Sequence, residues 1–307
     1  MLDPTELFPE VPNLYEFPSI HASMLYDKER VGKYSEAIRR VVKEGDIVAD
    51  IGTGTGLLAF LCVKAGAKRV HAIERSSAIK WAKRLAKKNG FGDRIIFHEE
   101  DSRSCNLNEK ANVVISELIG HIAFEEGMAE SLFDAKERFL VPDGVMVPQI
   151  IQLKVALVEE KEVYPECIDC WESIEGIDYS LMRKEAVKAC YLTELGSQNL
   201  LSEPQTFFTT DFRRNERMDL LEGSQSFRVC RAGEVNGIAL WFDAYLTPDV
   251  LLSSGPRRRT HWRQCFGPIG KPKEVKAGDE LWVHIEIQLR SKEKDFFNFV
   301  FQIEGVD

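Results

Sequence analysis

Long apolar runs are missing from these 307 residues; none approaches the ~20 that a helix needs to cross a bilayer. The opening, MLDPTELFPEVPNLYEF, has no basic stretch leading into an apolar one, so neither membrane insertion nor secretion is expected. Cysteine is sparse and odd in number, seven residues at 62, 105, 167, 170, 190, 230 and 265. That excludes a disulfide framework and points to the reducing cytoplasm. Cys167 and Cys170 form one close pair with no second pair and no histidine nearby, so no metal site is assigned. A basic excess is absent too: 49 acidic against 40 basic residues leave a net charge of −9. A partner held by its phosphates normally meets a basic stripe, so no nucleic acid is expected; an acidic surface favours cationic ligands. Internal repeats and low-complexity tracts are also absent.

What is present is ample core material, 44% hydrophobic residues, enough for one large domain or two ordinary ones. Residues 1 to about 19 read as an irregular arm, and IHASMLYDKERVGKYSEAIRRVV as one or two helices. From GDIVADIGTGTG to VPDGVMVPQ, strand and helix alternate: five strands are expected, with Gly66 and the Asn89–Gly90 pair ending two of the helices. Such alternation marks a doubly wound parallel sheet. After Pro148 the period switches to two in QIIQLKVALVEE, IALWFDAYL and ELWVHIEIQL, which predicts antiparallel strands closing into a β-barrel. A block near 165–200 interrupts them with helical character and is too long for a barrel loop. The expected division is therefore 1–45 as an N-terminal arm with covering helices, 46–147 as the cofactor domain and 148–307 as the β domain.

Chemistry concentrates at the carboxyl ends of the parallel strands, where such sheets bind ligands. VADIGTGTG places Gly52, Gly54 and Gly56 directly after a strand that ends near Asp50; glycine lets backbone and helix N-terminus approach a ligand closely. Glu74 ends the second strand, 22 residues past Gly52, where a carboxylate can accept from both hydroxyls of a ribose. Asp101 and Ser102 end the third strand, placed to hold an adenine amino group. With GxGxG rather than GxGxxG spacing, the set favours S-adenosylmethionine over a dinucleotide. After the fourth strand, SELIGHIAFEEGM holds Glu117 and Glu126 nine residues apart. Two carboxylates converging on one site call for a cation between them, and a planar guanidinium can bond both. In RRRTHWRQCFGP, His261 offers a proton acceptor and Trp262 an aromatic wall for a cation.

Together these segments resemble the protein arginine methyltransferases: the glycine turn, AIE at 72–74, SELIGHIAFEEGM and THW at 260–262 occur in that order. The resemblance runs from about residue 20 to the C-terminus. It implies a Rossmann-like cofactor domain, a β-barrel, and a helical arm through which two subunits form a head-to-tail homodimer. It also implies cofactor-facing roles for His21 and Met24, pairing of Arg30 with the methionine carboxylate, and pairing of Asp27 with His261. Glu117 and Glu126 would clamp the substrate guanidinium, and Met24 and Met128 would shape the acceptor pocket. Leu118 stands where the family usually carries an aromatic residue, and the aromatic segment before the first helix is reduced to Tyr15 and Phe17. The expected reaction is methyl transfer to arginine in a protein or peptide. Methylation of free arginine or a small guanidine metabolite, and a catalytically silent dimeric scaffold, are the alternatives.

Overall fold

The computed structural model describes residues 18–124, 127–214, 220–288 and 298–304, so most of the expected irregular arm lies outside it. The chain clusters into two compact units. One holds the residues through Leu118 together with 129–149 and 245–252; the other holds 119–128, 150–244 and the rest from Ser253.

The first unit begins with helices α1 (Pro18–Tyr26) and α2 (Lys28–Val41). They separate at Asp27, whose side chain accepts from the Arg30 backbone N–H at 2.9 Å and caps α2. Tyr34, Ala37 and Ile38 form the buried face of α2. Alternation then follows: β1 (Ile47–Ile51), α3 (Leu57–Ala65), β2 (Arg69–Ile73), α4 (Ile79–Lys88), β3 (Ile95–His98), β4 (Ala111–Ser116), α5 (Met128–Phe139) and β5 (Leu140–Val147). The strands pair in parallel in the order β3-β2-β1-β4-β5. This is the expected Rossmann-like sheet, and its strand order reverses beside β1, where ligands of such folds bind. Gly66 ends α3 with φ 112°, its N–H meeting the Cys62 and Val63 carbonyls. One detail differs from expectation. VPDGVMVPQ, which reads as a tight turn leading into the fifth strand, instead has its residues 141–147 within β5, whose pairing slips from Ala111↔Leu140 to Val113↔Val145. The intervening residues bulge from the ladder and accommodate the turn chemistry of Pro-Asp-Gly.

The second unit is built from antiparallel strands, as the period-two pattern requires. One sheet runs β10 (Gln205–Asp211), β6 (Ile150–Val158), β12 (Gly233–Thr247), β14 (Gln264–Val275) and β9 (Tyr191–Thr193); β13 (Val250–Ser253), which falls mostly among the residues of the first unit, pairs with β12. A second has the order β11 (Leu220–Arg228), β15 (Glu280–Gln288), β16 (Asn298–Glu304). The interrupting block holds two short helices, α6 (Val163–Cys167) and α7 (Ser180–Ala186), and a small hairpin of β7 (Ser173–Ile174) and β8 (Ile177–Asp178). Its root is fixed: Tyr164, Ile168 and Leu195 pack with Ala156, Trp241 and Phe266 in a buried cluster, and the Tyr164 hydroxyl donates to the Ile269 carbonyl at 2.9 Å.

Candidate active site

The turn after β1 is shaped by its glycines. Gly52, Gly54 and Gly56 have φ of 75°, 54° and 92°, a region that side chains disfavour. A Cβ on Gly52 would lie 2.6 Å from Leu118 Cδ2, whereas one on Gly54 would make a single ordinary contact, with His21 Cε1 at 3.8 Å. The backbone N–H groups of Gly52 and Thr53 both donate to the Ile73 carbonyl, at 2.9 and 3.0 Å, which ties the turn to the end of β2. Glu74 sits there. Its carboxylate accepts from the Gly54 N–H at 3.0 Å and the Ser76 N–H at 2.7 Å, leaving lone pairs on both oxygens.

Asp50 lies beneath the turn, fully buried. One oxygen accepts from the Thr53 hydroxyl at 2.5 Å and the Ala59 N–H at 3.0 Å; the other has no partner among the described residues. Burial pushes its carboxyl up to about 7, against the lowering effect of those two hydrogen bonds.

At the end of β4, Glu117 is held by Arg30. The Arg30 Nε donates to Glu117 Oε2 at 2.5 Å and Nη2 pairs with the same oxygen, both side chains being nearly buried. Arg30 Nη1 donates to the Met24 carbonyl at 3.0 Å, so one guanidinium links α1, α2 and the end of β4. Tyr34 reinforces the place by donating to the Ser116 carbonyl at 2.9 Å. Sequence reasoning gave Arg30 and Glu117 separate partners; the fold brings them together. It did not anticipate Tyr34.

Asp101 is engaged locally. Arg103 donates to it from its backbone N–H at 2.9 Å and from Nε and Nη2 at 3.0 Å each, and these bonds hold its carboxyl down at about 2. The carboxylate expected to bind an adenine amino group is thus already paired with a guanidinium. Ser102 is buried, its carbonyl accepting from Arg138 Nη2 at 2.5 Å.

In the second unit, Trp262 is only 2% exposed. Its indole N–H donates to the Ile119 carbonyl at 2.6 Å, and its own carbonyl accepts from His121 Nδ1 at 2.8 Å. Phe242 packs edge-on against its ring, 4.9 Å away. Trp262, expected to wall a cation pocket, is thus buried, and its indole fixes residues 119–121. The His261 ring lies 3.9 Å from the Trp262 ring, tilted 39° to it. Two segments far apart in sequence, LIGHIAF and THW, are therefore locked together, through a His121 that sequence reasoning passed over. Met128 is fully buried. His21 is buried and Met24 half-buried. Glu126 lies outside the described residues.

Known proteins carry the same architecture. Residues 150–304 match the family model of the arginine methyltransferase oligomerization subdomain, and residues 35–167 that of ribosomal protein L11 methyltransferase. The chain is 30% identical over 283 residues to protein arginine N-methyltransferase 6 of Xenopus laevis, covering 87% of this chain and 83% of that protein. With the probable protein arginine N-methyltransferase 6 of Arabidopsis thaliana the identity is 32% over 238 residues, 75% of this chain and about half (54%) of the relative. The fold is that of the Trypanosoma brucei PRMT1 enzyme-prozyme heterotetrameric complex with AdoHcy, with a TM-score of 0.89, 22% identity and 96% of each chain covered. The Arabidopsis thaliana protein arginine methyltransferase 10 superposes with a TM-score of 0.79 at 23% identity, over 94% of this chain and 98% of that one. Half of the sequence matching the oligomerization model, together with these relatives, establishes that the chain belongs to the protein arginine methyltransferase family.

Proposed function

We propose that the protein transfers a methyl group from S-adenosylmethionine to a guanidinium nitrogen of arginine within a protein or peptide. The observation that carries this reading is the pairing of Glu117 with a guanidinium, at the end of the parallel strand beside the glycine turn. A nearly buried carboxylate placed there binds a planar cation with two nitrogens, which is the chemistry an arginine substrate demands. Support for the cofactor comes from the room beside Gly54, where a Cβ would meet only His21, and from the lone pairs that Glu74 retains. When bound, S-adenosylmethionine supplies an electrophilic methyl group on a sulfonium.

The residues divide the work as follows. Gly52, Gly54 and Gly56 let backbone approach the cofactor, with His21 and Met24 covering it; Glu74 takes the ribose hydroxyls, and Arg30 turns toward the amino-acid carboxylate. Asp101 and Ser102 hold the adenine end, and Asp50 supports the turn from below. Glu117 orients the acceptor and draws positive charge toward the nitrogens it bonds, leaving the free nitrogen more nucleophilic. Glu126 is assigned the second carboxylate, Met128 a part in shaping the acceptor pocket, and Trp262 the fixing of the loop that carries it. Glu126, or the pair of Asp27 and His261, is assigned removal of the proton. The chain also self-associates as a homodimer through the 165–200 block, and its seven free cysteines suit a reducing cytoplasm.

The test is incubation with labelled cofactor and, in parallel, arginine-containing peptides and free arginine. Label in peptides is the expected result. Label in free arginine alone assigns a metabolite, and no transfer leaves a scaffold. Glu117→Gln is expected to cut turnover by roughly 10²–10³-fold while calorimetry finds cofactor affinity changed less than about tenfold.

A further inference from the structure

Away from the glycine turn, on the outer strands of the first unit, a line of side chains ends in an unclaimed set of ligand atoms. Arg69 Nη1 donates to Glu109 at 2.5 Å, His71 Nε2 meets the same Glu109 oxygen at 3.1 Å, and His71 Nδ1 meets His98 Nε2 at 3.0 Å. Glu109, paired with Arg69, is an acceptor only, so His71 must carry its hydrogen on Nε2. In that tautomer His71 accepts on Nδ1, and His98 donates from Nε2. By the same rule the lone pair of His98 lies on Nδ1. That atom faces Glu100, 3.9 Å from its Oε1. One ligand atom from each of His98, Glu100 and Cys105 lies within 4.8 Å of the other two. Glu100 also accepts from the Cys105 thiol, so a single S–H proton holds these groups together, and a divalent cation can take its place.

We propose that His98, Glu100 and Cys105 form a zinc site. An imidazole, a thiolate and a carboxylate suit a borderline-soft divalent ion with a water in the fourth position. The hydrogen-bonded His71 and Glu109 behind His98 are the outer partners that fix a ligating imidazole. Tetrahedral ligand atoms sit ~3.5 Å apart, against separations of up to 4.8 Å here, so the set must close by ~1 Å on binding. Burial is graded from exposed Glu100 to buried Cys105, which gives the ion an entrance. On binding, the Cys105 S–H bond breaks, a zinc–sulfur bond forms and the proton leaves to solvent, with no change of oxidation state. The sequence conceals the site because its ligands follow no CxxC or HxxxH spacing: His98 ends β3, while Glu100 and Cys105 lie on the irregular connection to β4.

Cobalt(II) added to the reduced, chelator-free full chain is the probe. One equivalent is expected to give tetrahedral visible bands and a sulfur-to-cobalt charge-transfer band, both displaced by zinc. Cys105→Ser abolishes the charge-transfer band, and Cys167→Ser with Cys170→Ser leaves it intact. Glu100→Gln, at an exposed position that cannot compromise folding, weakens binding tenfold or more, and His71→Phe weakens it about 10–100-fold. Absence of the bands, their survival in Cys105→Ser, their loss with the 167/170 pair, or unchanged affinity in Glu100→Gln overturns the proposal.

Discussion

Asp50 illustrates how one residue couples the site to stability. Its carboxyl is buried, with one oxygen bonded and the other without a partner among the described residues, so ionising it in the folded state is costly. With its folded value near 7 and an unfolded value close to 3.8, the native state retains a proton that the unfolded chain has lost. Stability contributed by this group is therefore greatest in acid and declines as pH rises from about 4 to about 7, by a few kcal/mol at most. Asp50→Asn removes the liability. Its urea midpoint should exceed that of the wild type at pH 8 and equal or fall below it at pH 5; parallel pH dependences in the two proteins would show that Asp50 carries no such penalty.

At the scale of the element, the strand-turn-helix around the glycines separates packing from ligand binding. Gly52→Ala meets both a φ of 75° and Leu118 at 2.6 Å, and should cost roughly 2–4 kcal/mol in denaturant unfolding. Adding Leu118→Ala relieves the clash but not the backbone strain, so the double variant should recover only part of what Gly52→Ala loses. Gly54→Ala, whose new methyl group makes one ordinary contact with His21 at a φ of 54°, should cost only about 1 kcal/mol while weakening cofactor binding at least tenfold by calorimetry. Similar stability losses at the two positions would contradict this division. These glycines, the parallel strands and Glu74 were legible in the sequence because each is a local signal: a period, a turn residue, a fixed spacing. The pairing of Arg30 with Glu117, 87 residues apart, and of Trp262 with Ile119, 143 apart, was not, because only the tertiary fold sets such partners. Asp101 is a different case. The Asp-Ser-Arg sequence itself permits an aspartate to bond its own backbone two residues on, and that local bond with Arg103 competes with the adenine contact read there.

At the scale of the molecule, the block between β6 and β10 joins a packed root to a bare tip. Tyr164, Ile168 and Leu195 belong to the core of the second unit, and β9 pairs with β14, so removing the whole block would damage the fold as well as any interface. The tip is different: Leu181 is 74% exposed, Ile177 59%, and Ile174 and Met182 46% each. Apolar side chains this exposed on one short segment are costly to leave in water and are the kind of surface that a second copy covers. A charge placed among them tests association without disturbing the root, since Leu181 has little burial to lose in the isolated chain. Leu181→Asp is therefore expected to melt within a few degrees of the wild type as a monomer, yet to shift the sedimentation coefficient from that of a dimer to that of a single chain. Peptide methylation should fall with it, recovering as protein concentration is raised if activity depends on the assembled pair. A wild-type chain that already sediments as a monomer, or a Leu181→Asp chain as large as the wild type, would remove this block from the interface.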